Sequence, residues 1–266
     1  MSDSIKAGEN YGDIHMKPQK LKWTPELVRK FWDGLSHTRL LDLGFSRQVG
    51  KSLILTIEHE LPGDGRILDF GAGDGDLIKL LCERGYLTAA YEDSNERQKV
   101  IKQNLNQHDN FLGTIDKNSD ETFDVIIMAE VIEHILDEEL DETLIQIVSL
   151  LKPGGVLVVT TPNNEDLEMN MSYCPESNLL FHRWQHVRSF TEQSLKGLLA
   201  KYGIEEIVSH QVELNDHIFL PGDKMWSQSE NGASPSFLNE IRQNISVKTG
   251  GEQNLLYLGR NSTLND

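Results

Sequence analysis

Carboxylate and imidazole side chains come together at two places in the sequence. Glu130, Glu133 and His134 directly follow an apolar run, and His182 and His186 lie further along the chain. An imidazole has an unperturbed pKa of about 6.5, which suits it to take a proton from a hydroxyl group at neutral pH. Carboxylates together with imidazoles also suit a divalent cation. The residue types therefore allow either proton transfer or metal binding.

Three interpretations of these side chains are open from the sequence. In the first, His134 or His186 is a general base for a hydroxyl acceptor. In the second, Glu130, Glu133, His134 and His186 bind Mg²⁺, Mn²⁺ or Zn²⁺. In the third, His134 caps a helix and Glu133 is a solvated charge. If the segment after residue 129 is helical, the i,i+3 and i,i+4 spacings place its three titratable side chains on one face.

A glycine-rich turn follows a short apolar run in ILDFGAGDGDL, residues 67–77. Gly71, Gly73 and Gly75 are separated by single residues, whereas the dinucleotide fingerprint has two residues between its second and third glycines. Glycines in such a turn let the backbone approach a ligand closely. The spacing argues against an NAD-dependent oxidoreductase.

The charges around this turn indicate the kind of ligand. Asp74 and Asp76 flank the start of the following helix and would oppose a phosphate, whereas Asp69 favours an ammonium group. Glu92, followed by Asp93, ends the next predicted strand, where a carboxylate suits hydrogen bonds to ribose hydroxyls. A nucleoside carrying a cationic amino-acid tail therefore fits better than a diphosphate.

Strands and helices alternate from residue 66 onward, which is typical of right-handed βαβ units and a mostly parallel sheet. Ligands bind such sheets beyond the carboxyl ends of the strands, where the turn and the carboxylates lie. The predicted strands cover residues 67–70, 87–91, 110–114, 123–129, 156–161, 204–213 and 254–260. The predicted helices cover residues 24–36, 47–60, 76–84, 94–106, 138–151 and 191–203. We predict an α/β, Rossmann-like fold, with a seven-stranded, mostly parallel sheet sandwiched by helices and a helical N-terminal segment.

Four segments, in this order, resemble the motifs of the class I S-adenosylmethionine (SAM)-dependent methyltransferases. ILDFGAGDG is similar to their first motif, and AAYEDS to the acidic second one. FDVIIMAEVIEH resembles the motif at the fourth strand, and LLKPGGVLVVTTPN the turn into the fifth. The resemblance covers about residues 50–210 and is strongest to the ubiquinone-pathway O-methyltransferases.

The resemblance implies that SAM is the methyl donor and S-adenosylhomocysteine the product. It assigns the methionine moiety to Asp69 and the turn at 71–75, the ribose to Glu92, and the adenine to the neighbourhood of residues 113–116. The residues that it assigns to the cofactor are Asp69, Gly71, Ala72, Gly73, Gly75, Glu92, Asp93, Ala129 and Glu130. The predicted catalytic residues are His134, His186 and Glu130.

A second resemblance concerns a metal. EVIEH, TPN and a later histidine before FT have counterparts in the metal-dependent RNA 3′-terminal 2′-O-methyltransferases. A divalent metal is therefore kept as an open alternative, with no ligand committed to it.

The composition of the chain limits the classes of ligand and the location that we predict. A formal net charge of −17 disfavours non-specific nucleic-acid binding, so we predict a small-molecule methyl acceptor and no nucleic acid. No apolar run reaches the roughly 18 residues of a membrane helix, and the N-terminus lacks an apolar signal core, which favours a cytoplasmic location. Cys82 and Cys174 form no CxxC pair.

The predicted organisation has three parts. Residues 1–22 form a disordered tail, residues 23–60 a helical cap, and residues 61–266 the methyltransferase domain, with a flexible insertion at 215–250. We predict SAM-dependent methyl transfer to an oxygen of a small or medium-sized molecule. The alternatives are a metal-dependent RNA 2′-O-methyltransferase and a non-catalytic SAM-binding protein.

Overall fold

A computed structural model describes residues 17–214, 237–248 and 253–263. The strands are β1 (Gln19–Lys20), β2 (Arg66–Phe70), β3 (Leu87–Tyr91), β4 (Phe111–Thr114), β5 (Phe123–Ala129), β6 (Leu151–Pro162), β7 (Met171–Cys174), β8 (Leu179–His182), β9 (Ile204–Val212) and β10 (Asn254–Asn261). The helices are α1 (Pro25–Ser36), α2 (Phe45–Ile57), α3 (Asp76–Glu83), α4 (Asn95–Leu105), α5 (Asp137–Leu150), α6 (Glu192–Ala200) and α7 (Phe237–Ile241). Short 3₁₀ turns cover Arg39–Leu43, Glu58–Glu60 and Leu167–Asn170.

Seven strands form the main sheet in the order β4-β3-β2-β5-β6-β10-β9. Strands β2 to β6 are all parallel to one another within this sheet, and β10 runs antiparallel to both β6 and β9. The strand order reverses between β2 and β5, so a crevice opens at their carboxyl ends. The predicted Rossmann-like, seven-stranded fold is confirmed.

Apolar side chains cover both faces of the central strands. Leu68 and Ile126 belong to one buried cluster, and Ile67 and Val125 belong to another, because successive side chains of a strand point to opposite faces. Each of these side chains is at most 1% exposed. The continuous apolar runs in the sequence therefore reflect parallel strands that are buried on both sides.

A second, three-stranded sheet was not predicted. Strands β7 and β8 form an antiparallel hairpin within the long connection after β6, and β1 pairs with β8 in parallel. The hairpin ends at His182, so it returns the chain to the carboxyl edge of the main sheet. Gln19 and Lys20, which fall in the predicted tail, form β1.

Two local expectations need correction. Residues 130–136 form turns rather than a helix, so helical spacing does not explain how Glu130, Glu133 and His134 are arranged. Strand β6 begins at Leu151 rather than Val156, because Leu151 already pairs with Phe123 of β5, and the KPGG segment forms an irregularity within the strand, with Gly154 at a φ of +75°.

The domain boundaries stay predictions. Residues 1–16 of the predicted tail and most of the predicted insertion at 215–250 lie outside the described residues. Across the described ranges, no helix is both long and apolar enough to cross a membrane.

Candidate active site

A cavity of about 460 Å³ opens at the carboxyl edge of the sheet. Among its lining residues are seven of the predicted site residues: Gly71, Ala72, Gly73, Ala129, Glu130, His134 and His186. A second cavity of about 430 Å³ is lined by Glu92 and Asp93, together with Ile115 and Asp116 from the segment predicted to lie near adenine. Asp69 and Gly75 line neither cavity.

The glycine turn joins β2 to α3 in a left-handed backbone conformation. The φ angles of Gly71, Gly73 and Gly75 are +82°, +56° and +85°. The amides of Gly71 and Ala72 both donate to the carbonyl of Tyr91, at 2.9 and 3.0 Å, and so tie the turn to the end of β3. A Cβ on Gly71 would lie 2.6 Å from Cγ2 of Val131, so the close packing of the turn requires glycine there.

Glu92 fixes the same turn from the other side. Its Oε2 accepts a hydrogen bond from the Gly73 amide at 2.8 Å, and its Oε1 accepts one from the Ser94 amide at 2.9 Å. Burial raises the pKa of Glu92, partly offset by the charge of Arg97 and by these two hydrogen bonds. Glu92 therefore has a structural role in addition to the ribose contact predicted for it.

Asp69 is a buried carboxyl group beneath this loop. It is 3% exposed, and burial raises its pKa to about 7, with smaller contributions from the charges of Glu92 and Asp76. A cationic group beside Asp69 would stabilise its charged form.

Glu130 follows β5 with a φ of +54°, which is uncommon for a residue other than glycine. Its amide donates to the backbone carbonyl and to Oγ1 of Thr160 on β6, both at 3.1 Å, and these bonds hold the turn in place. Burial, together with a smaller contribution from the charge of Glu165, raises the pKa of Glu130 to about 7, although the hydrogen bond with Thr160 opposes the shift. Within the described residues, its buried Oε1 makes no hydrogen bond.

Glu133 is buried and His134 is half-buried, and both have unmet hydrogen-bonding capacity among the described residues. Glu133 is 0% exposed, and neither of its carboxylate oxygens makes a hydrogen bond within the described part of the chain. Burial, followed by the charge of Glu130, raises the pKa of Glu133 well above its usual value. Burial, followed by the charge of His186, lowers the pKa of His134 well below its usual value. The interpretation of Glu133 as a solvated charge is therefore wrong.

Three of the four proposed metal ligands converge. Ligand atoms of Glu133, His134 and His186 lie within 4.8 Å of one another, and Nε2 of His134 is 3.9 Å from Oε1 of Glu133. Buried carboxylates are normally paired or bound to a metal, because an isolated buried charge is strongly unfavourable. Two carboxylates without a full set of hydrogen bonds, next to two imidazoles, are a donor set that fits a divalent cation.

An aromatic side chain from α1 covers His134. The rings of Trp32 and His134 meet edge-on with 4.9 Å between centroids. Nε1 of Trp32 donates to Oε1 of Gln185 at 3.0 Å, and Nε2 of Gln185 donates to the carbonyl of His134 at 2.9 Å. The Arg97 guanidinium lies 4.9 Å above the Trp32 ring. Trp32 of α1 therefore contacts both Arg97 of α4 and His134 in the turn after β5.

Arg188 fastens the turn that carries Glu133 and His134. Its Nη1 donates to the carbonyl of Ile132 at 2.9 Å, and its Nη2 donates to Oδ1 of Asp137 at 2.6 Å. The amide of Val187 donates to the carbonyl of Glu133 at 2.9 Å. These contacts explain how the segment after β8 and the turn after β5 come together.

The sequence did not single out Glu165, Gln185 or Trp32 for the site. Glu165 contacts both His182 and His186, and it follows the end of β6 as Glu130 follows the end of β5. The sequence pattern that could have indicated Glu165 is a carboxylate just beyond a parallel strand. The same segment contains several other acidic residues, so this pattern does not single out one of them. Trp184 also lines the first cavity.

Comparison with known proteins gives one family and several relatives. The family model described as "Methyltransferase domain" matches residues 45–210. The human mitochondrial ubiquinone biosynthesis O-methyltransferase is 27% identical over 239 residues, and the match covers 77% of this chain and 59% of that protein. The enzyme of the same name from Cereibacter sphaeroides is 24% identical over 209 residues, covering 73% of this chain and 80% of that protein.

Solved structures share the fold at low sequence identity. The N-methyltransferase NodS from Bradyrhizobium japonicum, in complex with S-adenosylhomocysteine, has a TM-score of 0.56 and 17% identity, covering 89% of this chain and 99% of that one. The 1,6-didemethyltoxoflavin-N1-methyltransferase from Burkholderia thailandensis has a TM-score of 0.56 and 15% identity, covering 92% of this chain and 94% of that one.

Proposed function

The chain belongs to the class I SAM-dependent methyltransferases, and from this premise we propose that it methylates an oxygen atom of a small or medium-sized molecule. The observation that carries the proposal is the group formed by buried Glu133 with half-buried His134 and His186, at the cavity that the glycine turn and Glu130 also line. Methylation of a hydroxyl group requires removal of its proton, and this group offers the side chains for that step. The relatives named for ubiquinone biosynthesis O-methyltransferase activity support an oxygen acceptor.

When bound, SAM would supply a methyl group from a sulfonium centre, and the sulfur would keep the electron pair of the S–C bond, which gives S-adenosylhomocysteine. The residues proposed to hold and orient it are Asp69, the turn at 71–75, Glu92, Asp93, Ala129 and Glu130. His134 or His186 would take the proton of the acceptor hydroxyl group, whose oxygen receives the methyl group. Orientation of the two reactants is the main contribution of the protein, because the leaving group is already good.

We assign Glu130, Glu133, His134 and His186 as the residues that would hold a divalent cation. The fit rests on the carboxylate oxygens of Glu130 and Glu133 that make no hydrogen bond within the described residues, and on the ligand atoms of Glu133, His134 and His186, which lie within 4.8 Å of one another. A bound divalent cation would lower the pKa of an acceptor hydroxyl group and so favour its deprotonation.

Trp32 and Trp184 line the same cavity and offer apolar surface for the acceptor. An aromatic ring packs well against such side chains, and the cavity is of a size that holds a small molecule. We therefore place a phenol-type hydroxyl compound first among acceptors. A cytoplasmic location also remains a prediction.

The experiment supplies methyl-labelled SAM to the purified protein together with phenols, amines or RNA oligonucleotides. We expect label in a phenol, loss of transfer in EDTA, and recovery with Mn²⁺ or Mg²⁺. Transfer to RNA would favour the metal-dependent RNA 2′-O-methyltransferase, which the net charge of −17 disfavours. Binding of SAM without transfer to any class would favour the non-catalytic alternative.

A further inference from the structure

One carboxylate joins the two histidines that follow the β7–β8 hairpin. Oε2 of Glu165 lies 2.5 Å from Nδ1 of His186, and Oε1 of Glu165 lies 3.2 Å from Nε2 of His182. The side chains are 11%, 8% and 2% exposed for Glu165, His186 and His182, respectively. The hydrogen-bonding atoms of these three residues are thus held together, with His182 buried and with Glu165 and His186 at the wall of the first cavity.

The surroundings of His182 determine where its proton is. Its Nδ1 accepts hydrogen bonds from the backbone amides of Trp184 and His186, at 3.3 and 3.1 Å. A ring nitrogen that accepts a hydrogen bond carries no proton, so the proton of His182 resides on Nε2. His182 therefore donates to Oε1 of Glu165.

Glu165 in turn can act only as an acceptor. Nδ2 of Asn170 donates to Oε1 of Glu165 at 2.7 Å, next to the bond from His182. Oε1 therefore accepts two hydrogen bonds, one from Asn170 and one from His182. Oε2, as a carboxylate oxygen, requires a donor, and the atom facing it is Nδ1 of His186.

We propose that Glu165 is a positioning residue that fixes His186 in the tautomer protonated on Nδ1, leaving the lone pair of Nε2 for the group of Glu133 and His134. The inference deepens the proposed function, since both taking a proton and binding a cation require a lone pair on a ring nitrogen. A carboxylate that accepts the other N–H of an imidazole fixes its orientation and raises its basicity. His182 and Asn170 position Glu165 in the same way, one step further from the reacting atoms.

Ligand atoms of Glu165, His182 and His186 also lie within 4.8 Å of one another. A cation bound among them would need Nδ1 of His186 without its proton, which is the opposite tautomer. The two arrangements are therefore mutually exclusive and can be distinguished by experiment.

The test compares Glu165→Gln with the wild-type protein by NMR of ¹⁵N-labelled histidines in the metal-free state. The His186 signals, identified by their absence in H186Q, are expected to show the proton on Nδ1 in the wild type. They are expected to show a mixture of tautomers in E165Q, because the amide can donate to the ring as well as accept from it. Glu168→Gln is the matched control, since Glu168 lies in the same segment but is exposed and pairs with Lys20. A proton on Nε2 in the wild type, or the same tautomer in E165Q, would overturn the proposal.

Calorimetry provides a second readout. E165Q is expected to weaken Mn²⁺ binding by roughly 10- to 100-fold, the range found for loss of a partner that orients a metal ligand. Affinity for S-adenosylhomocysteine is expected to stay within about 2-fold of wild type, which checks that the variant is folded. Binding of two Mn²⁺ ions per chain would also overturn the proposal.

The two proposals fail differently. A wild-type protein that binds no Mn²⁺ contradicts the metal part of the proposed function, whereas the metal-free NMR measurement still decides the tautomer. An altered tautomer in E165Q without any Mn²⁺ binding to the wild type would support Glu165 as the positioning residue of a general base.

Discussion

The indole of Trp32 meets the imidazole of His134 edge-on, with 4.9 Å between their centroids. The same indole donates to Gln185, and Gln185 donates to the backbone of His134. A residue on the N-terminal helix α1 therefore helps to position His134, a proposed catalytic residue in the turn after β5. The N-terminal helical segment is thus expected to influence transfer directly.

Trp32→Phe is expected to lower kcat/KM by roughly 5-fold, because the ring contact stays but a hydrogen bond of about 1 kcal/mol is lost. Trp32→Ala is expected to lower it further, since the cover over His134 is removed. Steady-state kinetics with a phenol acceptor measures both. Trp23→Phe is the control, because Trp23 packs against Phe31 and not against His134. Equal effects at Trp23 and Trp32 would show that the helix acts only through stability.

Glu92→Ala is expected to raise the Kd for S-adenosylhomocysteine by at least about 10-fold. The variant removes the proposed ribose contact and leaves the amides of Gly73 and Ser94 without their acceptor, and each buried unmet donor is unfavourable by about 1–3 kcal/mol. Calorimetry measures the change, and Glu96→Gln, an exposed residue paired with Lys99, is the control. Unchanged affinity in E92A would remove Glu92 from the cofactor site.

Asp69 gives a pH dependence with a definite sign. Burial raises its pKa from an ordinary value of 3.8 to about 7 in the folded, ligand-free protein, so the folded state holds a proton that the unfolded state releases. Its contribution to stability is therefore greatest below about pH 4 and is lost as the pH rises toward about 7. The free energy of unfolding is measured by urea denaturation across this pH range. It is expected to fall less with rising pH in Asp69→Asn than in the wild type.

The same group should affect ligand binding in the opposite direction. If the ammonium of the cofactor lies beside Asp69, binding favours the charged carboxylate, and wild-type affinity is expected to rise from about pH 6 to about pH 8. Asp69→Asn is expected to bind more weakly at the upper end and to lack this rise. Parallel pH profiles for the two proteins would contradict the assignment of Asp69 to the methionine moiety.

The first strands of the main sheet were predictable because β2, β3 and β5 are short apolar runs that stop at glycine or acidic residues, as in the segment from Ile67 to Gly75. The hairpin β7–β8 was not, because its residues lack a clear alternation and β8 pairs with β1 from a distant part of the chain. Glu165 could not be distinguished from its acidic neighbours Asp166 and Glu168, because its partners also come from a later part of the chain. Its partners are brought to it by the hairpin, and no local pattern encodes that contact.

Glu133 provides a test of the proposed metal that does not depend on an acceptor. Glu133→Gln keeps the size of the side chain but removes a carboxyl group without hydrogen bonds, whose charged form burial disfavours. In EDTA at about pH 8, where this carboxyl group is charged in the unfolded protein, the variant is therefore expected to be more stable than the wild type. Mn²⁺ is expected to reverse the order, because an ion that binds only the folded state stabilises it by about 2.7 kcal/mol at 100 times its Kd. Chemical denaturation with and without Mn²⁺ measures both effects, and Glu138→Gln on the exposed start of α5 is the control. If Mn²⁺ stabilised wild type and E133Q equally, Glu133 would not be a ligand, and a general base without a metal would be the better account of His134 and His186.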